Sequence, residues 1–223
     1  MGVMFIQSGR FAAAGFSPLD LSPILWVDPS DSGSVTLNGS NVSQIDDKSG
    51  NSNHLTQGTP ANQPAYNSAP INSLASITVA STGSTQLTSP SFTWPSPVTL
   101  FIVVRSSDTQ YIIVSSDTGS WAAYVARSGN ASSPSLGWTV NAARVDAASP
   151  AWTTRGEVYT AMNGLHQLSL DLSGTRTGPF LLNGWGATFN GDADVGEIIV
   201  CSTPGTTNRD ACEAYLKAKW GTP

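Results

Sequence analysis

Leu165-His166-Gln167-Leu168-Ser169-Leu170-Asp171-Leu172 decides the fold. Leucine returns at every second position from 168 to 172, which is the period of a β-strand; a helix would scatter the same residues around its axis. Leu168, Leu170 and Leu172 are expected to point into a core, and Gln167, Ser169 and Asp171 to point outward. The rest of the chain is punctuated in the same way. Residues 98–104 are apolar at nearly every position, as in a central strand covered on both faces. Residues 24–28, 42–45, 54–56, 74–80, 111–114, 121–126, 136–140, 157–162, 179–182 and 195–201 are further strand candidates. Gly, Pro, Asn and Ser fill the joints between them. One segment reads as helix: Thr207 as N-cap and Asp210 at the capping-box position. Ala211, Tyr215, Leu216 and Ala218 form its expected buried stripe, Lys217 and Lys219 sit in the last turn, and Gly221 and Pro223 stop it. Many short strands and one helix predict an all-β, two-sheet antiparallel sandwich of jelly-roll type with one short C-terminal helix.

The chain has 223 residues, which suits a single all-β domain with a sizeable core. Charged residues make up only 11%, so hydroxyls and amides must cover much of the surface. Ten basic against fifteen acidic residues give a net charge of −5. That balance argues against nucleic acid as a partner, because phosphate binding needs clustered Lys and Arg. No apolar run approaches the ~18–20 residues of a membrane span. The first residues lack the basic start and continuous apolar run of a secretory signal, so synthesis in a reducing compartment is expected. Cys201 and Cys212 then read as two small buried thiols, the other reading being a disulfide that staples the helix to the sheet.

Residues 1–22 read as an N-terminal arm, distinct from a domain spanning 23–223. Phe5, Ile6, Phe11 and Phe16 are apolar anchors without a steady period. Such a segment is ordered by docking, either on its own domain or on a neighbouring subunit.

Three constellations bear on chemistry. Asp192, Asp194 and Glu197 form an acidic run near the last strand. A glycosidase needs two carboxylates close together, yet on a regular strand Glu197 faces away from the other two. A bulge at Gly196 is required to bring them together. Asp28, Asp31, Asp46 and Asp47, with Asn51 and Asn53, offer oxygens to a hard cation; calcium is the ion they suit, although their spacing matches no calcium loop. The competing use of these residues is Asx turns, with Asp46 or Asp47 holding the Ser49-Gly50-Asn51 turn. Trp152 and Trp185, with Asn183 beside the latter, look like loop tips suited to a sugar or a partner. Trp26, Trp138 and Trp220 read as core, and His54 as a residue closing the loop that precedes it.

Two stretches carry a resemblance. The first is Ile24-Leu25-Trp26-Val27-Asp28-Pro29-Ser30-Asp31 followed by Asp46-Asp47-Lys48-Ser49-Gly50-Asn51-Ser52-Asn53-His54. The second is Glu197-Ile198-Ile199-Val200-Cys201, then Glu213-Ala214-Tyr215-Leu216-Lys217-Ala218-Lys219-Trp220-Gly221. Together they resemble the concanavalin A-like (laminin-G-like) jelly-roll domains of bacteriophage structural proteins, over roughly residues 23–222. The resemblance implies a non-catalytic virion protein at the particle surface: a capsid decoration, fibre or tail-associated component made in the host cytoplasm. It implies other virion proteins, major capsid or tail, as partners, and Glu197 as a framework residue. A closed homo-oligomer, with a trimer as the first guess, is the expected assembly. The second reading is an adhesin that binds host surface glycan through loop aromatics. The third is a glycoside hydrolase using Asp192, Asp194 and Glu197. No cofactor is expected apart from calcium in the second constellation.

Overall fold

The computed structural model describes residues 15–83, 85–106, 114–115, 139–148, 163–174, 176–183 and 191–223. Among these residues the chain is an antiparallel, curled β-structure of thirteen strands with one α-helix at its C-terminus. The strands are β1 (Leu25–Val27), β2 (Val35–Asn38), β3 (Asn41–Ile45), β4 (Leu55–Thr56), β5 (Ala65–Tyr66), β6 (Ile77–Val79) and β7 (Leu87–Trp94). They continue with β8 (Val98–Ser106), β9 (Val114–Ser115), β10 (Thr139–Val145), β11 (Gly164–Ser173), β12 (Arg176–Leu182) and β13 (Ala193–Ser202). The helix, α1, spans Thr206–Trp220. Hydrogen bonds run in the order β10-β11-β8-β13-β6-β5-β3-β4-β7-β12-β9, with β1 added beside β13 and β2 beside β3.

The curl creates one core and the helix creates a second. Inside the curl, Val98, Leu100, Ile102 and Val104 of β8 meet Leu168, Leu170 and Leu172 of β11, with Val42, Ile45, Leu55, Leu87, Phe180 and Leu182 from the other half. The alternate residues of β8, Phe101 and Val103, point the other way. They pack with Trp26, Ile199, Cys201, Cys212, Leu216 and Trp220 beneath α1. That second layer explains why residues 98–104 are apolar at every position but Thr99, whose hydroxyl donates to buried Asp171.

The same layer corrects the reading of β11. Gln167, Ser169 and Asp171 do alternate with the leucines, but they are buried rather than outward. The Ser169 hydroxyl donates to Glu213 of α1 at 2.6 Å. Asp171 is held by Arg209 of α1 and by the Thr99 hydroxyl. The helix is corrected too. Its N-cap is Gly205, with no side-chain cap, and Asp210 instead pairs with Arg144 at 2.7 Å. Its buried face is Arg209, Cys212, Glu213, Leu216 and Trp220, while Ala218 is exposed. Two charges in the buried stripe hide the amphipathic pattern from a hydropathy reading.

Of the expected strands, 74–80 shrinks to β6, and the candidates at 121–126 and 157–162 lie outside the described residues. β7 had no sequence signal, since Leu-Thr-Ser-Pro-Ser-Phe-Thr-Trp interrupts its alternation with proline. The sheet accommodates Pro90 with a register shift at Pro179/Leu181, and the Ser89 hydroxyl accepts the Phe180 N–H at 2.8 Å. A buried amide is thereby satisfied where the ladder lapses.

Candidate functional site

The two stretches that bracket the domain meet in space. β1 pairs with β13, placing Trp26 opposite Ile199 and Val27 opposite Ile198. The other edge of β1 is closed by the loop at 46–54. Asp47 accepts the Trp26 N–H at 2.9 Å, the Ser49 N–H at 2.9 Å, the Ser49 hydroxyl at 2.7 Å and the Asn53 N–H at 2.9 Å. The amides of Asn51 and Asn53 and the Ser49 hydroxyl all donate to the Ile24 carbonyl. The backbone N–H of Asp47 in turn donates to His54 Nδ1 at 3.1 Å. These Asx-type bonds give a short edge strand its second set of partners.

At the centre of this region lies Glu197, which is 0% exposed. It accepts from Trp26 Nε1 at 2.6 Å, Trp220 Nε1 at 3.0 Å, the Tyr215 hydroxyl at 3.0 Å and Lys219 Nζ at 2.8 Å. Lys219 Nζ bridges onward to Asp28 Oδ2 at 2.6 Å. A buried carboxylate survives only when paired and hydrogen-bonded, and here β1 and α1 supply the partners of a residue on β13. Burial and the neighbouring Glu197 push the Tyr215 hydroxyl well above its usual range. Gly196 makes the arrangement possible: a Cβ there would lie 3.1 Å from the Trp220 ring. A register shift of the kind a catalytic arrangement would require lies between Val195 and Ile198.

That shift does not assemble a catalytic pair. Glu197 is sealed beneath α1. Asp194, on the other side of the shift, is held by Arg105 at 2.8 Å and by the Thr78 hydroxyl at 2.7 Å. Asp192 accepts the Ser81 N–H at 2.6 Å. The three carboxylates are thus committed to three different sets of partners.

The oxygen-rich acids are likewise engaged within the protein. Asp28 faces Lys219 and, at 3.6 Å, Lys48; Asp31 faces Lys48 at 2.7 Å. That lysine holds the Asp31 carboxyl below its usual range. Asp46 accepts from the Gln44 amide at 2.7 Å, and Asp47 is spent on the turn described above. Among the described residues no cluster of three or more His, Cys, Asp or Glu side chains is arranged to hold a metal. At Asp28 and Asp31 the facing cations are the ammonium groups of Lys48 and Lys219.

Asn183 is also placed inside rather than at a contact surface. It is 0% exposed, donates to the Ala80 and Thr85 carbonyls, and accepts the Gly191 N–H at 2.8 Å. Trp152, Trp185 and Trp138 lie outside the described residues, as do Phe5, Ile6 and Phe11. Of the expected arm, residues 15–22 are described, and they lie on the domain. The Phe16 ring packs on Tyr215 with centroids 5.8 Å apart, and Leu21 joins the second core. Cys201 and Cys212 are free and buried in that same core.

Sequence reasoning missed the Arg209–Asp171 and Arg144–Glu213 pairs, because partners 38 and 69 positions apart leave no local trace. The one available signal was the pair of charged residues at a four-residue interval in the helix, Arg209 and Glu213, on one face. Comparison with protein-family models, with curated proteins and with solved structures finds no match to this chain.

Proposed function

We propose that the chain is a non-catalytic structural protein of a bacteriophage particle, a surface decoration or fibre component that contacts neighbouring virion proteins through its N-terminal segment. One observation carries the reading. The residues by which the chain resembles such proteins (Trp26, Asp28, Asp47, Asn51, Asn53, Glu197, Tyr215, Lys219 and Trp220) meet in one interlocked framework. Their joint role is to close an edge strand and seat the helix, which is the work of a scaffold. The low-charge surface suits packing through neutral hydrogen bonds, with the last turns of the arm already seated on the domain.

The test is association with purified virus shells, comparing the full chain with a variant lacking residues 1–14. The full chain is expected to bind shells as a closed oligomer, and the truncated chain to stay folded and lose binding. Absence of shell binding by the full chain rejects the reading.

A further inference from the structure

Lys219 of α1 touches two buried carboxylates at once. Its Nζ lies 2.6 Å from Asp28 Oδ2, just past the end of β1, and 2.8 Å from Glu197 Oε2 on β13. Asp28 and Glu197 are 5% and 0% exposed, whereas the Lys219 side chain is 20% exposed. The same nitrogen stands over the Tyr215 and Trp220 rings, 5.6 and 5.3 Å from their centroids. The other oxygen of Asp28, Oδ1, accepts the Ser30 N–H at 3.1 Å and the Ser30 hydroxyl at 2.6 Å. An amine nitrogen set against a carboxyl group, with a second carboxylate on the nitrogen to move its protons, has the parts needed to make an amide.

We propose that Lys219 and Asp28 join spontaneously in an isopeptide bond, with Glu197 as the proton carrier. Glu197 takes one proton from Nζ and passes it to Asp28 Oδ2, which turns the ion pair into an amine and a carboxylic acid. The Nζ lone pair attacks Asp28 Cγ, and the two Ser30 donors meet the charge that develops on Oδ1. Glu197 takes a second proton from Nζ and delivers it to the Oδ2 hydroxyl. The Cγ–Oδ2 bond breaks, one water leaves, and Glu197 is a carboxylate again. Of the three ammonium protons, one stays on the amide and two leave in the water. No oxidant or co-substrate is required. An ion pair is poorly supported in a buried, aromatic surround and a hydrogen-bonded neutral amide is well supported, which favours the product.

The other cations near carboxylates lack this arrangement. Lys48 is 3.6 Å from Asp28 and is held at 2.7 Å by Asp31, whose side chain is 46% exposed to competing water. Arg105, Arg144 and Arg209 keep their protons and are not nucleophiles. The Lys219–Asp28 bond joins positions 191 apart and closes nearly the whole domain into one loop, with the N-terminal arm outside it. A cross-link across so long a loop restrains the unfolded chain strongly. The proposal stands apart from the virion reading and survives its failure.

The test is the intact mass of the full chain under denaturing conditions, followed by tandem mass spectrometry of a digest. The parent is expected to be lighter than its sequence by one water, with a linked peptide pair containing Asp28 and Lys219. Lys219→Arg keeps a cation beside Asp28 but cannot form the amide. It is expected to be folded by circular dichroism, to have its full sequence mass and to unfold at a lower temperature than the parent. Glu197→Gln, followed in its folded fraction, is expected to form the link at least tenfold more slowly. A parent at full sequence mass overturns the proposal. So does a water loss that maps to any other residue or persists in Lys219→Arg. A link formed by Glu197→Gln at the parental rate overturns the role given to Glu197.

Discussion

The Ser169 hydroxyl donates to Glu213 Oε1 across 2.6 Å, joining the outer face of β11 to the buried face of α1. Both side chains are buried, at 2% exposure each, and Glu213 also takes Arg144 at 3.1 Å. This contact turns a strand that alternates in polarity into one buried on both faces. Replacing Ser169 by Ala leaves part of a buried carboxylate without its donor, at a cost of about 1–3 kcal/mol. Leu168→Ala, on the opposite face, costs about 2–5 kcal/mol through lost burial and a cavity. Urea denaturation measures both. A Ser169→Ala variant as stable as the parent contradicts the placement of the helix over β11.

The two thiols report on the second core. Burial pushes Cys201 up to about 12 and raises Cys212 as well. Thiolate is the reactive form, so neither side chain should react with a thiol reagent in the folded protein near neutral pH. Both should react in guanidinium, giving two equivalents. One or two equivalents in the native protein contradicts their burial beneath α1.

Tyr215 sets an alkaline limit. An ordinary tyrosine ionises near 10.0, but burial and Glu197 keep the proton on Tyr215 to higher pH. The folded state then holds a proton that the unfolded state releases. The stability this contributes is intact below pH 10 and falls as pH rises beyond it, by about 1.4 kcal/mol per pH unit. Tyr215→Phe should flatten that limb in denaturation curves taken at successive alkaline pH values. An unchanged slope contradicts the burial of the hydroxyl.

The boundary of the arm is testable by truncation. Phe16 packs on Tyr215, while Pro18 and Leu21 are buried. Chains lacking residues 1–14 and residues 1–22 differ by the docked segment 15–22 alone. Removal of 1–22 uncovers part of the second core and should cost about 2–4 kcal/mol, from a buried leucine and a half-buried aromatic ring. Equal stability of the two truncated chains contradicts the docking of 16–21.

Much of the fold was legible because it is written locally. The period of 168–172, the nearly continuous apolar run at 98–104 and the turn residues at 46–54 each report on neighbours a few positions away. β7 was not legible, because a proline inside the strand is tolerated through a hydroxyl on its own chain, Ser89, meeting an amide of β12. The outer residues of β11 were misjudged for a related reason. Their polarity is matched by Arg209 and Glu213 of α1, and polarity alone does not distinguish solvent from a buried partner. The framework role of Glu197 came through the resemblance, whereas its four donors come from elements scattered between positions 26 and 220. Asn183 illustrates the converse error, in which an Asn-Gly sequence that suggests a loop tip is a buried residue tying β12 to the Ala80 and Thr85 carbonyls.

Glu197 offers the most direct test. As the anchor of a framework, its replacement by Gln removes the charge that Lys219 and two indole N–H groups converge on. The cost should be about 3 kcal/mol, the scale of a broken buried ion pair. Measured by urea denaturation with tryptophan fluorescence, Glu197→Gln should show that loss together with a changed native spectrum, since Trp26 and Trp220 both bond to the lost carboxylate. A variant of parental stability that instead loses hydrolytic activity on a polysaccharide present in the parent contradicts the account.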